Sequence, residues 1–187
     1  MNETLSQPKD NLAIRFKKVC RLMAVVNSRK KAILSSSIEG VEIARLLKAM
    51  ANDLIKKSPF LLDKNFNHFY SRGKGFVPRV VWLSFTKTGY PNSSLSVTLC
   101  FDKNGKGCVL GLMEAKERPT GRINLVIRKT AECIPDLDLD GPKQAGMFNN
   151  MYFNPMDFFI DNFCTDDFIK HFEDSIRMLF SMSDDAT

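Results

Sequence analysis

A chain of 187 residues, 44% hydrophobic and 26% charged, can bury one full globular core, and it contains no apolar run near the ~20 residues that span a bilayer. Its net charge of +6 conceals a division: residues 1–131 carry 24 basic and nine acidic side chains, whereas residues 132–187 carry three basic and twelve acidic ones. That segregation points to a surface with a strong positive field and hence to a polyanionic partner. Five scattered cysteines (Cys20, Cys100, Cys108, Cys133, Cys164), with no C-x-x-C pair and only His68 and His171 beside them, argue against a disulfide framework or a zinc site. They read as reduced apolar fillers. The N-terminus lacks the apolar core of a signal peptide, so the expected compartment is the cytoplasm.

Residues 1–9 are polar and expected to fray. From about Asp10 to Val26, Leu12, Phe16, Val19, Leu22 or Met23, and Val26 recur at helical spacing, with Arg15, Lys17, Lys18 and Arg21 on the other faces. Residues 27–37, with Arg29-Lys30-Lys31, read as an exposed connection. Ser36-Ser37-Ile38-Glu39 offers a capping box for a second helix that uses Val41, Ile43, Leu46, Leu47, Met50 and Leu54 and ends at Lys56-Lys57-Ser58-Pro59.

The texture then changes. Phe69 to Phe85 is a basic turn with two glycines one residue apart, Gly73 and Gly75, running into a strand that carries the only tryptophan, Trp82. Glycines at that spacing allow positive φ or close backbone approach. Arg72, Lys74 and Arg79 add charge, and Phe76 and Trp82 add flat apolar surface, a mixture suited to nucleic acid. Strands are expected over Val80–Phe85, Leu95–Phe101, Cys108–Leu112 and Ile123–Ile127, with a hairpin turn at Asp102–Gly107. Connections this short favour antiparallel pairing. Residues 135–142 form a loop, and residues 146–154 are aromatic and turn-rich. A closing helix follows Thr165, with Asp166 and Asp167 in its first turn and Phe168, Phe172, Ile176 and Leu179 on its buried stripe. The expected fold is α+β: a single domain with a mostly antiparallel mixed sheet, N-terminal helices and a closing C-terminal helix. Residues 1–60 form the helical segment, residues 61–182 the main body and residues 183–187 a tail.

Two chemical patterns compete with binding. Asp102 followed by Glu114-Ala115-Lys116 matches the bare D…ExK pattern of magnesium nucleases, in which two carboxylates hold the metal and a lysine faces the developing charge. The alternative for these residues is a turn aspartate and a solvated charge cluster. Asp136-Leu137-Asp138-Leu139-Asp140-Gly141 copies half of a calcium loop, but Met147 stands at its twelfth position and Pro142 at its seventh. No Walker-type phosphate loop or serine elbow is present. Tyr152, Phe153, Phe158, Phe159 and Phe163 read as core, and Lys17, Lys18 and Arg21 as solvated charge or a phosphate-tracking face.

Taken together, Gly73-Lys74-Gly75-Phe76, Trp82-Leu83-Ser84-Phe85, and the apolar strands Leu95–Phe101 and Cys108–Leu112 around a charged turn resemble the McrB N-terminal DNA-binding domain family of modification-dependent restriction systems. The resemblance covers roughly residues 66–120. It implies a non-enzymatic module, without a cofactor, that binds double-stranded DNA carrying a modified cytosine and rotates that base into a pocket. It also implies a GTPase motor and a nuclease subunit as partners in the same system. On this resemblance Trp82 and Leu99 line the pocket, and Phe148 or Tyr152 supplies a further aromatic. Arg72, Lys74, Arg79 and Lys87 meet the DNA backbone. Lys74 departs from the family, whose best-known member has an aromatic residue between the glycines. The competing readings are a small magnesium nuclease using Asp102, Glu114 and Lys116, and a protein-interaction domain docking through its acidic C-terminal part.

Overall fold

The structure, a computed structural model, describes residues 10–88, 95–114, 137, 139 and 154–182, with Glu114 described by its backbone alone. Helix α1 (Asn11–Ser28) begins at Asp10, whose carboxylate accepts from the backbone N–H of Leu12 at 3.1 Å and also from the Thr165 hydroxyl. Leu12, Phe16, Val19, Cys20, Met23 and Val26 form its buried stripe, as their spacing predicts.

Helix α2 (Ile38–Lys57) starts one residue later than the expected box. Ser37 is the cap, accepting from Gly40 N–H at 3.1 Å, because a tight turn closed by Ser37 N–H on Leu34 C=O (3.0 Å) holds it as the last non-helical residue. Glu39 therefore pairs with Arg29 instead of closing a box. Val41, expected on the buried stripe, is 56% exposed. It lies two residues, about 200°, from Ile43, so it points away from the stripe Ile43, Leu46, Leu47, Met50 and Leu54. Pro59 cannot continue the helix, and a short 3₁₀ turn, Pro59–Leu61, leads into the sheet.

Five antiparallel strands follow in spatial order: β1 (Phe66–Tyr70), β2 (Trp82–Lys87), β3 (Leu95–Phe101), β4 (Gly107–Glu114) and β5 (Met156–Phe159). β2 begins at Trp82 rather than Val80, past the interruption around Pro78. β1 and β5 have no counterpart in the sequence reading. Each is short, and their aromatic residues draw their strand character from pairing with β2 and β4. The β3–β4 hairpin closes through Gly105 at φ +75°, where a Cβ would strike the Cys20 carbonyl and crowd Ala24, so its tip rests on α1.

Alternation along the strands separates two faces. Leu83, Phe85, Val97, Leu99, Phe101, Cys108, Leu110 and Leu112 share one buried cluster with the stripes of α1 and α2. The closing helix α3 (Thr165–Ser181) adds Phe168, Phe172, Ile176 and Leu179 to it, with Phe172 edge-on to Phe85 at 4.9 Å. The fold is thus α+β, with helices from both ends of the chain on one face of an antiparallel sheet. The outer face carries a smaller cluster, Val80, Cys100, Val109, Leu137 and Leu139, with Trp82, Met113 and Phe159 beside it. The expected strand Ile123–Ile127 and the segment 146–153 lie outside the described residues, as do the acidic side chains of the loop 135–142.

Candidate nucleic-acid interface

The glycine segment, Ser71–Val81, is the connection between β1 and β2. Gly73 has φ +71° and Gly75 φ +86°, the left-handed region that the sequence spacing anticipates. The two positions differ in their surroundings. A Cβ on Gly73 would overlap the Phe76 carbonyl and lie 2.7 Å from Ser35 Oγ, whereas one on Gly75 would meet open space. The close approach at Gly73 folds the turn tightly onto its own Phe76 carbonyl, with Ser35 of the α1–α2 connection beside it. Ser35 N–H donates to Gly75 C=O at 3.0 Å and Val77 N–H to Ile33 C=O at 2.8 Å, forming an antiparallel bridge between Leu34 and Phe76.

That docking joins charges from distant parts of the sequence. Segments 27–40 and 71–81 together hold Arg29, Lys30, Lys31, Arg72, Lys74 and Arg79 against one carboxylate, Glu39. Glu39 is held below the usual carboxylate range by backbone hydrogen bonding at the start of α2, with Arg29 beside it, so it stays ionised and offsets Arg29 alone. Lys30, Lys31, Lys74 and Arg79 are exposed. Asn27 Nδ2 donates to the Arg79 carbonyl at 3.2 Å, which ties this cation to the end of α1. The Arg72 guanidinium lies over the Tyr70 ring at 4.8 Å and donates to its hydroxyl at 2.9 Å, which fixes its position at the rim. The β3–β4 hairpin brings Lys103 and Lys106 to the same end of the sheet, next to the α1 turn that carries exposed Arg21. Lys30, Lys31 and Leu34 had no place in the expected site. Only a basic tract around an isolated Ile33-Leu34 pair hinted at them.

Lys87 is not part of this rim. It sits at the opposite end of β2, where Nζ donates to the Met182 carbonyl at 2.8 Å and lies 5.7 Å from the Phe180 ring, so it anchors the end of α3. Trp82 and Leu99 do not share a pocket either. Leu83 is paired with Leu99 and Trp82 with Cys100, so the one-residue offset sends Trp82 to the outer face and Leu99 to the inner, where it is fully buried against the helices. Trp82 is half-buried beside Val80, Cys100 and Val109. Phe148 and Tyr152 lie outside the described residues.

The nuclease pattern is not assembled by the β-hairpin. Phe101 pairs with Cys108 and Leu95 with Glu114, so Asp102 and Glu114 stand at opposite ends of β4, about 20 Å apart at ~3.3 Å per residue. Asp102 is fully buried and accepts from the N–H groups of Asn104 (2.7 Å) and Lys106 (3.0 Å), holding the hairpin turn. Lys116 lies outside the described residues. Cys20, Cys100 and Cys108 are buried fillers, and burial pushes the Cys20 thiol up to about 12, whereas Cys164 is exposed. Among the described residues no His, Cys, Asp and Glu side chains group as metal ligands, and no helix is long and apolar enough to cross a membrane.

Comparison with protein-family models, curated proteins and solved structures finds no match to this chain.

Proposed function

We propose that this protein is a DNA-binding recognition module whose contact surface is built by the glycine segment and the α1–α2 connection. The observation that carries the reading is the docking of Ser71–Val81 on residues 33–35, which gathers five cations beyond the Arg29–Glu39 pair. A concentration of exposed lysine and arginine on a rigid backbone suits the regular charge of a phosphate chain. Within this reading, the likeness of residues 66–120 to a modified-cytosine-binding family extends the proposal to methylated DNA in a restriction or defence system. Trp82 is the side chain offered to an extruded base, and a GTPase motor and a nuclease subunit are the proposed partners. Leu99, turned into the core, has no part in such a pocket.

The test is fluorescence anisotropy with matched duplexes containing cytosine, 5-methylcytosine or 5-hydroxymethylcytosine, each at several salt concentrations. Replacing Arg72, Lys74 and Arg79 together by alanine is expected to weaken binding to every duplex and to reduce the slope of log K against log salt by about 2–3. Trp82→Ala is expected to reduce discrimination among the three duplexes more than affinity. A triple variant that binds like the parent at low salt rules out this surface.

A further inference from the structure

Leu34 and Phe76 are 53% and 52% exposed, and Ile38, the first residue of α2, is 87% exposed. Large apolar side chains left adjacent in water at the tip of an ordered segment call for a partner. The two hydrogen bonds on either side of the Leu34–Phe76 bridge make it a non-hydrogen-bonded antiparallel pair, the kind whose side chains stand closest together on one face. The pair is held before any partner arrives, by those bonds and by the close approach at Gly73. Phe76 itself is half exposed to solvent. Lys30 and Lys31 precede Leu34 in the chain, and Lys74 and Arg79 bracket Phe76, so the apolar pair is flanked by cations on both strands of the bridge.

Resting on the reading of this surface as a DNA interface, we propose that Leu34 and Phe76 form an apolar wedge that enters a base step of duplex DNA. The flanking cations hold the phosphates on either side. An opened base step accepts an aliphatic or an aromatic side chain equally, and the insertion bends the duplex by roughly 20–90°. A single-stranded partner fits less well. It stacks successive bases on several rings, and Phe76 is the sole aromatic among the large apolar side chains that the described residues expose. An anionic bilayer also fits less well, because the exposed positive charge does not ring the apolar tip but continues along α1 and the β3–β4 hairpin toward Lys106 and Arg21, a path suited to a rod-like polyanion.

The experiment uses the full chain and a duplex with 2-aminopurine at an internal step, reading anisotropy for binding and 2-aminopurine fluorescence for unstacking. The parent is expected to bind and raise the fluorescence. Phe76→Ala and Leu34→Ala are expected to lose most of that rise while keeping the salt slope, and Phe76→Trp to keep it. Both side chains are exposed, and urea unfolding of each variant checks that it folds as the parent does. Binding with no rise, wherever the probe is placed along the duplex, overturns the wedge and leaves the interface standing. Absence of salt-dependent binding overturns the interface and the wedge with it. Attachment to phosphatidylserine vesicles that Phe76→Ala abolishes, with no rise on DNA, identifies the occupant as a bilayer and overturns the proposal.

Discussion

Alanine at Gly73 and at Gly75 makes the same chemical change one residue apart, and the structure predicts different outcomes. Each position has a left-handed φ, +71° and +86°, which costs an L residue about 1–2 kcal/mol. Each substitution also removes unfolded-chain entropy, which returns about 0.4–1 kcal/mol. At Gly75 nothing else is disturbed, because a Cβ there meets open space, so the net loss is about 0.5–1 kcal/mol. At Gly73 the new Cβ overlaps the Phe76 carbonyl, a backbone atom of the same turn, so the turn must open and shift Gly75–Val77 away from their partners in residues 33–35. That movement breaks the Ser35–Gly75 and Val77–Ile33 hydrogen bonds, each worth about 0.5–1.5 kcal/mol, and brings the expected loss to about 2–4 kcal/mol. Urea unfolding followed by circular dichroism gives both values by linear extrapolation. The same displacement moves Lys74 and Phe76, so Gly73→Ala is also expected to lower DNA affinity more than Gly75→Ala. Equal stabilities for the two variants would falsify the close-packed docking on which the interface depends.

Two further predictions concern the scaffold. His171 Nε2 lies 3.1 Å from the Leu110 carbonyl and 3.0 Å from that of Asn154, and burial lowers its pKa below the ordinary histidine value despite those bonds. The unfolded chain therefore binds the proton more readily, so stability is full above pH ~6.5 and declines as pH falls below it. His68, also lowered by burial, acts in the same sense. Denaturation midpoints at pH 7.5 and 5.5 measure the decline, which His171→Gln is expected to reduce; an unchanged pH dependence in that variant refutes the assignment. Asp102→Ala strips the acceptor from two turn N–H groups and is expected to cost about 1–3 kcal/mol, with Asp102→Asn milder because it keeps an acceptor oxygen. Equal unfolding midpoints for parent and Asp102→Ala would remove its role in the hairpin.

Much of the scaffold was legible because local physics dictates it. The 3.6-residue recurrence of Leu12, Phe16, Val19 and Met23, and of Phe168, Phe172, Ile176 and Leu179, places α1 and α3 and their buried sides. The alternation in Leu95–Phe101 and the turn at Asp102–Gly107 mark the central hairpin, and the spacing of Gly73 and Gly75 announces two positive φ angles. β1 and β5 were not legible, because strands of five and four residues depend on their neighbours for partners.

The candidate site divides along the same line. Composition and spacing by themselves determined that the first two-thirds of the chain is basic and that the glycine turn carries charge beside Phe76. Only the tertiary structure decided which charges act together. Lys30 and Lys31 join Lys74 and Arg79 through hydrogen bonds between segments about forty residues apart, while Lys87, nearer in sequence, is drawn off to the end of α3. Strand register likewise separated Trp82 from Leu99, since a one-residue difference in pairing turns a side chain to the other face of a sheet and no local pattern encodes that choice.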